Sequence, residues 1–214
     1  MPTIVAFLTQ KGGPGKTTIG RGTAVALAQN AWDVMIADLD LAQASATEWN
    51  KQRLSLGHQP ALSVQPFGSV AQAVSKSSGF DALIIDGAPH ASTATTEAAK
   101  VADLVVIPTG LAQDDLRPAV VLAESLAKKH GIEARRIVFA LNHVGDSERE
   151  LEEARDYLAQ TAYATLDGYL PQKTAYSRAH DLGLSVIETP YRGPRESAER
   201  LIQSVMMKIE ELTN

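Results

Sequence analysis

Lys11-Gly12-Gly13-Pro14-Gly15-Lys16-Thr17-Thr18 places three glycines, two lysines and two hydroxyls in eight consecutive residues. This grouping suits an anionic ligand. Glycines let backbone N–H groups converge on phosphate oxygens. A helix that starts at the end of the run adds its positive N-terminus. Lys16 then supplies a point charge for β- and γ-phosphates, and the Thr17 hydroxyl is placed to ligate Mg²⁺. The run departs from the usual G-x-x-x-x-G-K-[ST] pattern at its first position, where Gln10 stands for glycine. Carboxylates recur downstream as Asp38, Asp40 and Asp86, and an amide as Asn142. A carboxylate beside a bound triphosphate can hold Mg²⁺, usually through water, or align an attacking water.

These groups need elements to position them. Apolar runs at 4–8, 34–37, 82–85, 104–107 and 137–141 read as strands, and 62–64 as a weaker one. Helical stretches are expected near 18–29, 43–52, 69–77, 93–100, 115–130, 147–160 and 195–212. Continuous apolar strands alternating with helices predict a parallel sheet buried on both faces. The expected fold is therefore α/β, a single doubly wound domain over residues 1–214. Its sheet is mainly parallel, flanked by helices, of P-loop type. Ligands of such sheets lie at the carboxyl ends of the strands. Lys16, Asp38, Asp86 and Asn142 each follow a strand, so the chemistry converges on one edge.

Composition narrows the classes. The chain has 214 residues, 44% hydrophobic and 21% charged, ordinary values for one globular domain. It has no cysteine, which excludes disulfides, thiolate metal sites and iron–sulfur clusters. The five histidines show no metal-ligand spacing; His90 is a loop residue close to the nucleotide at most. A net charge of −5 means that any nucleic-acid binding must come from a local patch or a dimer-built one. The N-terminus lacks a basic segment and a long apolar run, so a cytoplasmic location is expected.

Lys-Gly-Gly-x-Gly-Lys-Thr-Thr near the N-terminus resembles the deviant Walker A box of the ParA/MinD ATPases. The chain looks most like the short ParA type, with no N-terminal DNA-binding module ahead of the first strand. The resemblance implies ATP and Mg²⁺ as ligands, bound by Gly12, Gly13, Pro14, Gly15, Lys16, Thr17 and Thr18. It implies that Lys11 crosses a dimer interface to the partner's ATP, so that an ATP-dependent homodimer forms. Asp40 would orient the attacking water, and Asp38 would support the Mg²⁺ shell with Thr17 and Asp86. Leu83-Ile84-Ile85-Asp86 resembles a Walker B strand, and Gly87-Ala88-Pro89 the second switch. Asn142 would read the adenine edge, with Pro171, between Leu170 and Gln172, as a second wall. Asp114 or Asp115 would lie near the dimer interface.

The switch runs Asp40-Leu41-Ala42-Gln43-Ala44-Ser45-Ala46-Thr47-Glu48-Trp49. It keeps the family's Gln, Ser, Thr and Trp, but lacks its Pro and has one residue more. Hydrolysis is expected to be slow without a partner. The family's behaviour implies non-specific DNA binding on the nucleoid, through residues such as Lys173, Arg178, Arg192, Arg195 and Arg200. A cargo-linked ParB-like or adaptor protein would stimulate the ATPase. The cargo would be a plasmid, a chromosome locus or an assembly such as a carboxysome or chemoreceptor cluster. No membrane role is expected, because Met206 to Asn214 sets one lysine against two glutamates. Two alternatives share the architecture: an ATP-dependent ligase of the dethiobiotin- or cobyrinate-synthetase type, and a non-hydrolysing nucleotide-gated adaptor. Lys11 and the Trp49 segment argue against the ligase.

Overall fold

β1 (Thr3–Phe7) runs through the middle of the molecule and alternates its side chains between two cores. Ile4, Ala6 and Leu8 enter one, and Val5 and Phe7 the other. This period of two, with both faces apolar, is why the strand reads as an unbroken hydrophobic run. The structure, a computed structural model, describes residues 1–88 and 92–213. Pro89 and His90, both singled out in the sequence, lie outside the described residues.

The other strands are β2 (Val34–Asp38), β3 (Ser63–Pro66), β4 (Ala82–Asp86), β5 (Leu104–Thr109), β6 (Ile137–Leu141) and β7 (Ala164–Thr165). They form one seven-stranded sheet in the order β3-β2-β4-β1-β5-β6-β7. Every pairing between them is parallel. The chain winds one way from β1 to β3 and the other way from β5 to β7, which is the expected doubly wound arrangement. The helices are α1 (Lys16–Gln29), α2 (Ser45–Ser55), α3 (Val70–Lys76), α4 (Thr93–Val101), α5 (Gln113–His130), α6 (Glu148–Ala159), α7 (Thr174–Asp181) and α8 (Arg192–Thr213).

α1 is built from small residues because it is squeezed between the sheet and α8. A Cβ on Gly22 would lie 3.0 Å from Val186 and 3.1 Å from Ile202. Two elements depart from the sequence reading. The two-residue β7 is too short to carry a pattern, and α7 buries only Ala175, Tyr176 and Ala179. α1 also begins two residues earlier than expected, since Gly15, at φ 103°, already closes the preceding loop. No helix among the described residues is long and apolar enough to cross a membrane.

Candidate nucleotide site

The phosphate loop joins β1 to α1 at the carboxyl edge of the sheet. Gly13 (φ 94°) and Gly15 (φ 103°) both take left-handed backbone, which side chains disfavour. Gly15 has a second constraint, because a Cβ there would sit 2.0 Å from Asn142 Nδ2. Gly12, Gly13, Gly15, Lys16, Thr17, Thr18, Asp40, Gln43 and Ser45 line a cavity of about 320 Å³. Lys16 is buried, and its Nζ donates to Thr9 Oγ1 at 3.0 Å. Thr9 Oγ1 in turn donates to Lys11 O at 2.7 Å, so one hydroxyl ties the lysine to its own loop. Burial lowers the Lys16 pKa, against the pull of Asp86 and Asp40.

Asp38 and Asp86 end adjacent strands and are register partners. Their backbones are therefore about 4.8 Å apart, and the two carboxylates share one face. Burial raises the Asp86 carboxyl to about 6. Asp38 pushes the same way, while a hydrogen bond from Thr17, Lys16 and Arg21 pull against it. Asp86 Oδ1 is buried and has no hydrogen-bond partner among the described residues. Asp38 is differently occupied. Its Oδ1 accepts from the Asp40 amide at 3.2 Å, and its Oδ2 from the Thr47 amide and hydroxyl, both at 3.1 Å.

Mg²⁺ prefers this kind of site, with one or two carboxylates, a hydroxyl, waters and ligand phosphates. No cluster of three His, Cys, Asp or Glu that could hold a metal occurs among the described residues. The donor set of Thr17 and Asp86, with an unpartnered buried oxygen, fits Mg²⁺ carried in with phosphates.

Asp40 lies at the cavity in a tight turn. Its Oδ1 accepts from the Gln43 amide at 3.1 Å, and its carbonyl from the Ala44 amide at 2.7 Å. The other carboxylate oxygen makes no hydrogen bond among the described residues. Lys11 stands outside the cavity, its side chain 49% exposed, with Nζ 3.4 Å from Asp115 Oδ1. Asp115 thus answers to Lys11 within the same chain. Asn142 is buried and gives one Nδ2 proton to Pro14 O at 2.8 Å. Its second amide proton and its carbonyl oxygen remain for another partner. Pro171 bridges Val144 and lines a second cavity of about 410 Å³, with Tyr169 and the start of α8.

Two buried side chains that sequence reasoning missed hold the switch. Arg21, on α1, donates through Nη2 to Ser45 O. Its guanidinium carbon lies 5.1 Å from the Trp49 ring centroid. Arg53 lies 5.6 Å from the same ring and pairs with Glu188 at 2.8 and 2.9 Å. Arg53 Nε donates to Pro60 O, Nη1 to Gly183 O and Nη2 to Gln59 O. The only signal in the sequence was Arg21 four residues after Thr17, on the same helical face.

Of the five basic residues singled out in the last third, Arg200 is exposed and the other four have a polar partner. Lys173 pairs with Asp146 at 3.2 Å, Arg192 with Glu196 at 2.7 Å and Arg195 with Glu199 at 3.7 Å. Arg178 reaches the Tyr191 hydroxyl at 3.5 Å.

A parallel sheet with a glycine-rich loop, buried lysine and paired strand-end aspartates defines a P-loop nucleotide-binding domain. The family model for the CobQ/CobB/MinD/ParA nucleotide-binding domain matches residues 5–186, and the chain belongs to that family. A maintenance of carboxysome distribution protein A from Gloeobacter kilaueensis is 27% identical over 198 residues, covering 92% of this chain and 89% of that protein. The cell division ATPase MinD of Pyrococcus furiosus superposes with a TM-score of 0.76 at 19% identity, over 97% of this chain and 99% of that one. The septum site-determining protein MinD of Pyrococcus horikoshii, solved with Mg-ADP, gives 0.74 at 20%, over 96% of each. At these identities the two structures establish the fold.

Proposed function

We propose that the chain is a ParA-like ATPase that binds Mg-ATP, dimerises on it and rides non-specific DNA to position a cargo. The observation that carries this reading is the division of labour between the two lysines. Lys16 is buried over its own phosphate cavity, whereas Lys11 projects outside it with only an exposed ion pair to hold it. Such a pair is worth about 0–1 kcal/mol, so Lys11 is easily released to a neighbour's phosphates. A cation added from a second subunit makes dimerisation depend on ATP and stabilises the charge of phosphoryl transfer.

In this reading Lys16 and the loop amides hold the β- and γ-phosphates. Thr17 and Asp86 hold Mg²⁺, which supplies Lewis-acid charge when bound. Asp38 holds the switch through Thr47 and supports the metal from behind. The second oxygen of Asp40 aligns the water whose oxygen bonds the γ-phosphorus as the β–γ bridging bond breaks. The spare Nδ2 proton of Asn142 meets an acceptor on the adenine edge, with Pro171 as a wall. The curated relative's role in carboxysome distribution favours a protein assembly as cargo, with an adaptor that stimulates hydrolysis on a nucleoid-bound, cytoplasmic dimer. Exposed pairs such as Arg192–Glu196 are weak enough for DNA phosphate to displace the carboxylate.

The test is binding to non-specific duplex DNA with ATP, with ADP and without nucleotide, over a salt series. ATP-dependent, salt-sensitive binding by the parent, lost in Lys11→Ala, is expected. Binding in no state would remove DNA from the reading and favour a ligase or an adaptor.

A further inference from the structure

Two buried arginines flank Trp49, and they are built differently. Arg53 is fully enclosed and spends Nε, Nη1 and Nη2 on three carbonyls and the Glu188 carboxylate. It is complete as it stands. Arg21 is only 7% exposed, yet its Nε–H is buried without a partner among the described residues. Burying a cation is costly unless neighbouring groups compensate it. Those groups are Ser45 O, the Trp49 ring and the fields of Asp86 and Asp38.

The placement follows from helix geometry. Thr17 and Arg21 are one turn apart on the same face of α1, so the arginine sits directly behind the hydroxyl that bonds Asp86. Ser45 and Trp49 are also one turn apart, at the start of α2. One guanidinium therefore grips the first turn of α2 from behind the strand-end carboxylates. The segment it leads out of is held otherwise by the hydrogen bonds of the Asp40 turn, and its side chains face solvent. Leu41 is 58% exposed, and Ala42 and Gln43 are exposed as well. Ala44 takes left-handed backbone at φ 46°, which a non-glycine residue keeps only when its surroundings impose it.

We propose that Arg21 is a positioning residue for hydrolysis: it couples the Thr17–Asp86 side of the site to the switch, and so holds Asp40 at the phosphate cavity. This rests on the reading that the site takes Mg-ATP. Arg21 touches neither nucleotide nor water in this role. It acts through Ser45, Trp49 and the turn between Asp40 and Ala44.

The experiment compares the parent, Arg21→Met and Arg21→Lys, all carrying Trp32→Phe so that Trp49 is the reporter. Mg-ATP affinity is measured by calorimetry, hydrolysis at saturating ATP, and Trp49 emission with and without Mg-ATP. Arg21→Met is expected to bind Mg-ATP within about threefold of the parent, to lose at least about tenfold in kcat at little-changed KM, and to lose the nucleotide-dependent change in Trp49 emission. Arg21→Lys keeps a donor for Ser45 O but not the planar stack, so it should recover part of the rate and not the emission change. If Arg21→Met does not fold, Arg21→Lys decides alone: parent-like binding with a slower rate and altered emission supports the role. Parent-like rate and emission in either folded variant would overturn it. So would equal losses of affinity and rate, which mean general damage. A parent that binds no Mg-ATP would sink the ATPase reading itself, and this inference with it.

Discussion

The two sides of the phosphate cavity are held by different means. On one side, Gly13, Gly15, Lys16, Thr17 and Asp86 are fixed by main-chain geometry: left-handed glycines, the start of α1 and the register of β2 and β4. On the other, the turn from Asp40 to Ala44 is exposed, and side chains from distant parts of the chain hold its continuation into α2. Arg21 comes from α1. Arg53 reaches across 135 residues to Glu188, and Trp49 Nε1 donates to Leu184 O at 3.1 Å. A backbone-built wall is set by local sequence and resists remote change. A side-chain-built wall can be moved from far away, as the proposed response to γ-phosphate would require.

The largest effect should come from removing chemistry on the exposed side while leaving the backbone-built side alone. Asp40→Ala is expected to keep Mg-ATP affinity, because Lys16, Thr17 and Asp86 are untouched, and to lower kcat by about 10²–10⁴-fold, the range of a lost positioned proton acceptor. Equilibrium binding and single-turnover hydrolysis separate the two quantities. If affinity collapsed along with rate, the cavity would be one structural unit, and the contrast between its sides would fail.

Arg53→Ala attacks the anchor behind the exposed side. It leaves the largely enclosed Glu188 carboxylate with no cation and opens three carbonyls, so a stability loss of about 3 kcal/mol is expected from urea denaturation. The same assay on Lys11→Ala serves as its counterweight: that exposed pair, at 3.4 Å, should cost less than about 1 kcal/mol.

The same contrast governs what the sequence made legible. The rigid wall could be read directly. Gly-x-Gly-Lys-Thr after an apolar run specifies the loop and the helix that follows it, and Asp86 closes a strand of buried residues. The parallel pairing of the sheet followed from the alternation of strands with helices; the strand order came only with the structure. The side-chain-built wall was legible only where the chain itself carries the chemistry, as at Asp40 and Trp49. Arg21 in a helix of small residues, and Arg53 in a polar one, look like surface cations until Ser45, Trp49 and Glu188 are brought to them. α7 was missed for a related reason, since an eight-residue helix burying three side chains has too short a period to detect. The C-terminal arginines were legible in position but not in pairing. Counted along the chain they read as a patch, but i,i+4 spacing hands Arg192 and Arg195 to Glu196 and Glu199.

The smallest predicted effect is a pH slope that belongs to the rigid wall alone. Burial holds the Asp86 pKa at about 6 in the folded chain, against 3.8 when unperturbed. Between those values the folded protein keeps a proton that the unfolded chain has released. Metal-free stability should therefore fall as pH rises from about 4 to about 6, by at most about 1.4 kcal/mol per unit. His180 works oppositely, because burial lowers it to about 4 from 6.5, so its contribution is lost as pH falls through that range. The two slopes overlap, and only a difference isolates Asp86. Asp86→Asn should remove the falling component and leave the His180 component intact, so the difference between the two stability curves should rise toward low pH. Mg²⁺ needs the deprotonated carboxylate, so affinity for the metal should drop about tenfold per unit below about pH 6. A variant whose curve parallels the parent's would mean that Asp86 is ionised throughout, and that Lys16 and Arg21 fully offset its burial before any metal arrives.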